Sequence, residues 1–549
     1  MTGLTRREAW LSALAVFGVA LVARALFAGQ VVFPKPEDTA YYVGVARNLV
    51  EGRGLVSDAL WSYATPPLVF PRPAFEVWLP LPTFLAAIPM LVLGPTLAAA
   101  QVMSVLVGAV VPVLAWRLAA DVAAERGMSP VRARTLALGT GLTSAVYLPL
   151  VLHSALPDST MLFAALALGA CLLMTRVLAD PRGARLTDPR MIGIGLLMGL
   201  AALTRNEAAW LAVTWVALVA VTRGLDRATK LRLIGVVGVV AALVFAPWAL
   251  RNWSAFGSPL PGQAVTNAFS VSGFDIFAWN DPPTLSRYLA VGPARLIEMR
   301  VEGLTHNLVN VLLLPGFPLS AVGLLALPWV ARGRAVRPVV AVTLMTFLVT
   351  SLVFPVATTW GTFLHAAGPG QVLIVLSALL ALDAVLLSLA RRMAWTKDVS
   401  WLGATTGVAA SLLFSVVLLA GFASGSRDTA RLYDELGARM AAVGRPLAEP
   451  GIRLMSNFPI WVAETQRTST LALPDEPPED VLHLAATFPG TKYLILTSPE
   501  SAHWPTDLET AQPGAECFAP IDLGAYAGTG ADPLGTTTVY EIGCPGGAS

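Results

Sequence analysis

Apolar stretches close to the ~20 residues that carry an α-helix across a bilayer recur along the chain at residues 10–29, 96–118, 134–152, 159–178, 191–204, 206–222, 233–250, 307–330, 338–355, 369–390 and 401–423. A backbone in hydrocarbon has no water to bond, so such stretches fold as helices that satisfy their own amides. Composition agrees: of 549 residues 55% are hydrophobic and 13% charged, against roughly 25% charged in soluble proteins, and the mean hydropathy is +0.65. The net charge of +2 (37 Lys and Arg against 35 Asp and Glu) and the lack of a basic patch interleaved with aromatics exclude nucleic acid as a partner. The first stretch follows Arg6 and Arg7 without a small-residue cleavage site, so it reads as a retained anchor rather than a signal peptide.

Lys and Arg concentrate in loops on the cytoplasmic side. With eleven spans, the clusters at Arg6 and Arg7, Arg117 to Arg134, Arg176 to Arg190, Arg223 to Arg232, Arg332 to Arg337, and Arg391 to Lys397 all share one side. This places the N-terminus in the cytoplasm and the C-terminus outside a cell (plasma) membrane. Residues 78–94, apolar but carrying three prolines, would invert every later cluster if they crossed, so a re-entrant or interfacial helix is expected there. The hydrophilic outer segments are then 30–77, 251–306 and the tail.

The tail changes character. SRDTARLYDELGARMAAV has a helical pattern, and RLMSNFP, KYLILTS and TTVYEIGC read as strands between Pro, Gly and Asp turns. The expected organisation is a transmembrane domain over 1–423 and a small extracytoplasmic α/β domain over 424–549. Of three cysteines, Cys517 and Cys544 fall in the tail, where an oxidising compartment would permit a disulfide. Their alternative is a pair of free thiols.

The first outer loop contains PKPEDTAYYVGVARNLVEGRGL, residues 34–55. Tyr42, Val45, Ala46 and Leu49 share one apolar helical face, which predicts a short amphipathic helix at the membrane surface. Asp38 at its start reads as an N-cap or as a working carboxylate. Asp158, in LPDS at the opening of the fourth span, carries the same two readings. His153 and His365 are each a satisfied interfacial histidine or a ligand. Arg205 interrupts an apolar run in LTRNEAAW, a costly position that points to a polar cavity or to an ordinary outer turn. Arg251 in PWALRNW reads equally as an arginine snorkelling to the interface.

An acid, Tyr-Tyr, ARNL and a Gly-rich turn in the first outer loop, followed by LPLPTFLAAIPMLVLG, LPDS, LTRNE and APWALRNWSAFGSP in order, resemble the GT-C glycosyltransferases. These include the protein O-mannosyltransferases and the bacterial lipid A aminoarabinose transferases, which use polyprenyl-phosphate sugars. The resemblance implies a GT-C-like polytopic α-helical fold and an inverting transfer of sugar to a lipid, glycan or protein acceptor at the outer face. It assigns the base to Asp38, four residues before Tyr42, with Glu37 as rival, and lets Asp158 contribute to the site or bind a divalent metal, Mg or Mn. A carboxylate is needed because an acceptor hydroxyl or amide is a poor nucleophile until its proton is taken. The departing phosphate requires cations, for which Arg205, Arg251 and Arg72 are the candidates, Arg72 and Lys35 being also possible neighbours of the base. Tyr42, His365 and His153 are candidate substrate contacts. The family's Arg-Tyr pair near the last outer mouth is replaced here by HAAGPG.

No phosphate-binding loop, H-E-x-x-H or two-cysteine zinc pair occurs. The rival reading is a lipid-linked-sugar flippase or other secondary transporter, whose charges would sit at the bilayer midplane. Here the suspect residues gather at one boundary.

Overall fold

The computed structural model describes residues 6–181, 185–395, 399–498 and 501–544, without the side chains of 263 and 264. Arg182 and Lys397 of the basic clusters lie outside these residues. Each of the eleven apolar stretches falls on helix. Among the described residues six helices are long and apolar enough to cross a membrane: Arg6–Ala28, Leu97–Glu125, Thr160–Ala179, Arg227–Phe256, Gly368–Arg392 and Ser400–Ala442. Pro189–Ala202, Ala208–Val221, Leu319–Val330 and Arg337–Leu352 are shorter apolar helices. The stretch 134–152 is interrupted at Tyr147 between Pro130–Val146 and Leu148–Leu152, and 307–330 opens with a π-helical run, His306–Leu313.

Leu81–Leu93, in the Pro-rich segment, is a 13-residue helix, about 20 Å long at 1.5 Å per residue. Gly94, at φ +93°, turns the chain back towards Leu97–Glu125. Small residues set the closeness of the bundle: a Cβ on Gly323 would stand 2.3 Å from the Ile374 carbonyl oxygen of helix Gly368–Arg392.

Outside the bundle, the short strands β1 (Val56–Ser57) and β3 (Arg72–Pro73) pair antiparallel, while β2 (Ala59–Leu60) leaves the loop for a larger sheet. With β4 (Arg453–Ser456), β5 (Thr470–Ala472), β6 (Thr491–Thr497), β7 (Phe518–Pro520) and β8 (Thr537–Ile542), the sheet order is β2-β5-β4-β6-β8-β7. The first four strands run parallel and the last three antiparallel. The runs RLMSNFP, KYLILTS and TTVYEIGC supply β4, β6 and β8. Tyr493 to Leu496 of β6 are all buried, as a strand covered on both faces requires. Cys517 and Cys544 form a disulfide.

Two expectations about this region change. The boundary at 423/424 falls inside one continuous helix, Ser400–Ala442, and the tail's sheet takes its edge strand from the first outer loop, so the two parts are built together. Nor does helix Glu37–Val50 lie at a surface. Val43 and Ala46 pack on Ala86, Met90 and Ala100, while Tyr41, Tyr42 and Val45 join the core of the sheet module. Both faces are covered.

Candidate active site

Four side chains from three distant segments converge, Asp38, His153 with Asp158, and His365, and all are buried. Asp38 sits in the first turn of Glu37–Val50; the N-cap is Pro36, which contributes no side-chain bond. Its Oδ1 accepts the Thr39 amide at 2.9 Å, and its Oδ2 lies 3.1 Å from His365 Nε2. Asp158 precedes helix Thr160–Ala179, and its Oδ1 accepts the Thr160 amide at 2.7 Å. The capping reading therefore accounts for one oxygen only. Asp158 Oδ2 has no hydrogen-bond partner and faces His153 Nδ1 at 3.8 Å and His365 Nδ1 at 3.9 Å.

His365 is presented by a one-turn helix, Thr362–Ala366, that begins at Gly361. Gly361 has φ +116°, and a Cβ there would meet His365 Nε2 at 3.0 Å, so both backbone and space call for glycine. With its proton on Nε2, His365 donates to Asp38 and accepts the Thr160 hydroxyl on Nδ1 at 2.6 Å. His153 follows the short helix Leu148–Leu152, and its Nδ1 has no hydrogen-bond partner.

Burial raises the Asp38 carboxyl above its ordinary range, with His365 opposing. Burial acts in the same direction on Asp158, but His153, His365 and the Thr160 amide outweigh it and carry Asp158 below the ordinary value. His365 is lowered, chiefly by burial. Two carboxyl groups whose affinities for a proton are pushed apart suit two roles, a proton acceptor and a permanent anion.

His153, Asp158 and His365 could hold a metal ion, with one ligand atom from each lying within 4.8 Å of the others. Two unpartnered buried atoms, His153 Nδ1 and Asp158 Oδ2, fit that use. Tetrahedral zinc with bonds of about 2.0–2.1 Å sets its ligands about 3.4 Å apart, a few tenths closer than the 3.8 and 3.9 Å at which the two imidazoles stand from Asp158 Oδ2. Two imidazoles favour a zinc-type ion over Mg or Mn, which prefer oxygen. His365 would ligate through Nδ1 only by giving up the Thr160 hydroxyl bond it accepts there, with Asp38 behind it as the hydrogen-bond partner of Nε2, an arrangement that fixes a ligating imidazole.

Arg205 joins the cluster. Its Nη1 donates to Ser159 Oγ at 2.7 Å, and Nε and Nη2 grip Glu207 at 3.0 and 2.9 Å. Tyr42, one helical turn after Asp38, comes within electrostatic reach of Arg205 and Asp38; burial is the main cause that raises its phenol.

The other sequence candidates lie elsewhere. Glu37 turns to the sheet module, where its Oε1 accepts the Ile460 amide at 3.0 Å, and burial pushes its carboxyl up to about 8. Arg72 is fully buried; it donates to the carbonyls of Ser62 and Thr65 and pairs with Glu76 at 3.6 Å. Arg251 donates to Ala74 O at 2.7 Å and lies over the Trp248 ring at 4.8 Å. Lys35 lies 5.7 Å from the Trp461 ring centroid. These cations brace the outer loop. The hydrogen bonds and ion pairs resolved for Arg72, Arg251 and Lys35 include none to Asp38.

Three contributors escaped the sequence reading. Ser159, the serine of LPDS, and Thr160 serve the cluster through their hydroxyls. Arg24 donates from within the first span to Ser154 Oγ at 2.9 Å and Ala145 O at 2.8 Å, bracing the broken helix that presents His153. A lone arginine in an apolar span was the available signal.

The solved structures this chain is similar to have the GT-C fold. ArnT from Cupriavidus metallidurans in the apo state aligns with a TM-score of 0.56 at 12% identity over 98% of this chain and 98% of that one. The same protein bound to undecaprenyl phosphate aligns at 0.56 and 14% over 97% and 98%. The archaeal oligosaccharyltransferase AglB from Archaeoglobus fulgidus, in complex with an inhibitory peptide and a dolichol-phosphate, aligns at 0.54 and 14% over 93% of this chain and 72% of its own. No protein-family model and no curated protein sequence matches the chain.

Proposed function

We propose that this protein is an inverting glycosyltransferase of the outer membrane face, moving a sugar from a polyprenyl-phosphate donor to a lipid, glycan or protein acceptor. The observation that carries the reading is the buried set Asp38, His365, Asp158 and His153 beside Arg205. Solved proteins of this fold hold undecaprenyl phosphate or dolichol-phosphate, which supports a lipid phosphate as the donor's carrier.

Asp38 takes the proton of the acceptor hydroxyl or amide as that atom attacks the anomeric carbon. The bond from this carbon to the phosphate oxygen breaks, and the lipid phosphate departs with the electron pair. One displacement inverts the centre. The raised affinity of Asp38 for a proton matches a base, and Arg205, held in orientation by Glu207 and Ser159, faces the charge that develops on the phosphate. A zinc-type ion, held by His153, Asp158 and His365, would supply further positive charge there.

The test is turnover of labelled polyprenyl-phosphate sugars by the purified protein in lipid nanodiscs, with Asp38→Asn as control. Loss of a general base lowers the rate by about two to four orders of magnitude. Donor that binds and is never consumed by the unaltered protein would favour the transporter reading.

A further inference from the structure

The helix that carries Asp38 is tied to the sheet module near both of its ends. At its start Glu37 accepts the Ile460 amide at 3.0 Å, and the Trp461 indole donates to Pro34 O at 3.2 Å. Near its end Arg47 grips both carboxylate oxygens of Glu464 in an ion pair whose side chains are only 10% and 9% exposed. Between these ties the helices approach so closely that a Cβ on Gly44 would meet Glu464 Oε2 at 2.9 Å. Ile460 and Glu464 belong to one helix, Pro459–Gln466. Strand β2, a few residues beyond the tied helix, enters the module's sheet beside β5, and Tyr63 donates to Ala472 O at 2.5 Å.

These ties have a consequence for Asp38. Its helix starts at Pro36 without a side-chain cap, and the local side-chain bond of the first turn, from the Thr39 amide to Asp38 Oδ1, is made by Asp38 itself, so fixation from outside the helix matters. The Glu37 bond to Ile460 supplies that fixation one residue from Asp38. A misplacement of about 1 Å at a reacting group costs on the order of 100-fold in rate, and the 3.1 Å separation of Asp38 from His365 has no slack for it.

We propose that Glu37 and the Arg47–Glu464 pair are positioning residues through which the C-terminal module holds Asp38 in place, so that the module governs turnover rather than donor binding. This rests on Asp38 being the base. Glu37 acts as an acceptor for an amide, a task that needs an oxygen and not a charge.

The experiment uses the full chain in nanodiscs and compares Glu37→Gln, Glu37→Ala and Glu464→Gln with the unaltered protein. Three quantities are measured: turnover of labelled polyprenyl-phosphate sugars, affinity for undecaprenyl phosphate, and hydrogen exchange of the amides of residues 38–50. Glu37→Ala and Glu464→Gln should lower turnover about 10- to 100-fold, leave undecaprenyl phosphate affinity within about two-fold, and speed exchange at 38–43 at least ten-fold. Glu37→Gln, whose amide oxygen still accepts from Ile460, should keep turnover within about three-fold. A Glu37→Gln variant as inactive as Asp38→Asn overturns the proposal by making Glu37 the base. Unchanged turnover and exchange in Glu37→Ala and Glu464→Gln overturn it as well, as does a fall in affinity that matches the fall in turnover. Absence of turnover in the unaltered protein with every donor tried instead defeats the enzymatic reading, and with it the catalytic role of these ties.

Discussion

His365 points one ring nitrogen at Asp38, 3.1 Å away, and turns its other nitrogen towards Asp158 at 3.9 Å. One imidazole thus separates two buried carboxyl groups whose proton affinities shift in opposite directions. Their amide variants should differ in kind. Asp38→Asn should lower turnover by about two to four orders of magnitude while lowering zinc affinity by no more than the roughly 10- to 100-fold expected of an outer partner. Asp158→Asn alters a side chain that would ligate the ion directly and should lower zinc affinity further, read by calorimetry on the protein in nanodiscs. Turnover should rise with pH through a value above the ordinary carboxylate range, because the base works only after losing its proton.

Arg205→Lys should weaken undecaprenyl phosphate binding by about ten-fold or more. Lysine keeps the charge but loses the planar fork that engages Glu207 and Ser159 together, so the cation is no longer held in one direction. Surface-bound titration with undecaprenyl phosphate in nanodiscs reads the change.

Glu37 gives a pH dependence with a definite sign. Its carboxyl is pushed from 4.5 up to about 8 in the folded chain, so the folded state favours the protonated form. Its stabilising contribution is complete below pH 4.5 and falls as pH rises towards 8. Thermal unfolding across this window should show stability declining with pH, and Glu37→Gln should flatten that decline.

Gly323→Ala should destabilise the bundle. The added carbon would stand 2.3 Å from a backbone oxygen, Ile374 O, which cannot rotate aside as a side chain would. Overpacking of this kind costs about 1–3 kcal/mol, visible as a lower unfolding temperature. Gly238→Ala, with open space at its Cβ, serves as the neutral control.

Much of this was legible in the chain. Asp38, Asp158, His153 and His365 each lie in a short segment with its own local signal, an acid beside a helix start or a histidine at an apolar boundary. The runs that became β4, β6 and β8 carry apolar β-formers between turn residues. What local patterns do not encode is pairing across hundreds of residues. Nothing in the sequence around Ala59 announces a partner at Thr470, and the buried Arg47–Glu464 pair reads as two solvated charges until the fold brings them together. The burial of Arg72 against Glu76 and of Glu37 against the Ile460 amide was hidden for the same reason, since a charged residue in an outer loop gives no sign of burial. The boundary at 423/424 failed differently: a change from apolar to polar composition marks a change of solvent, and a helix can pass through it unbroken.

That unbroken helix, Ser400–Ala442, has 43 residues and so a length of about 65 Å, roughly twice the ~30 Å hydrocarbon thickness of a bilayer. It makes the sheet module a turret on a stiff mast instead of a bead on a string. The module is thereby held at a fixed distance from the helices of the bundle.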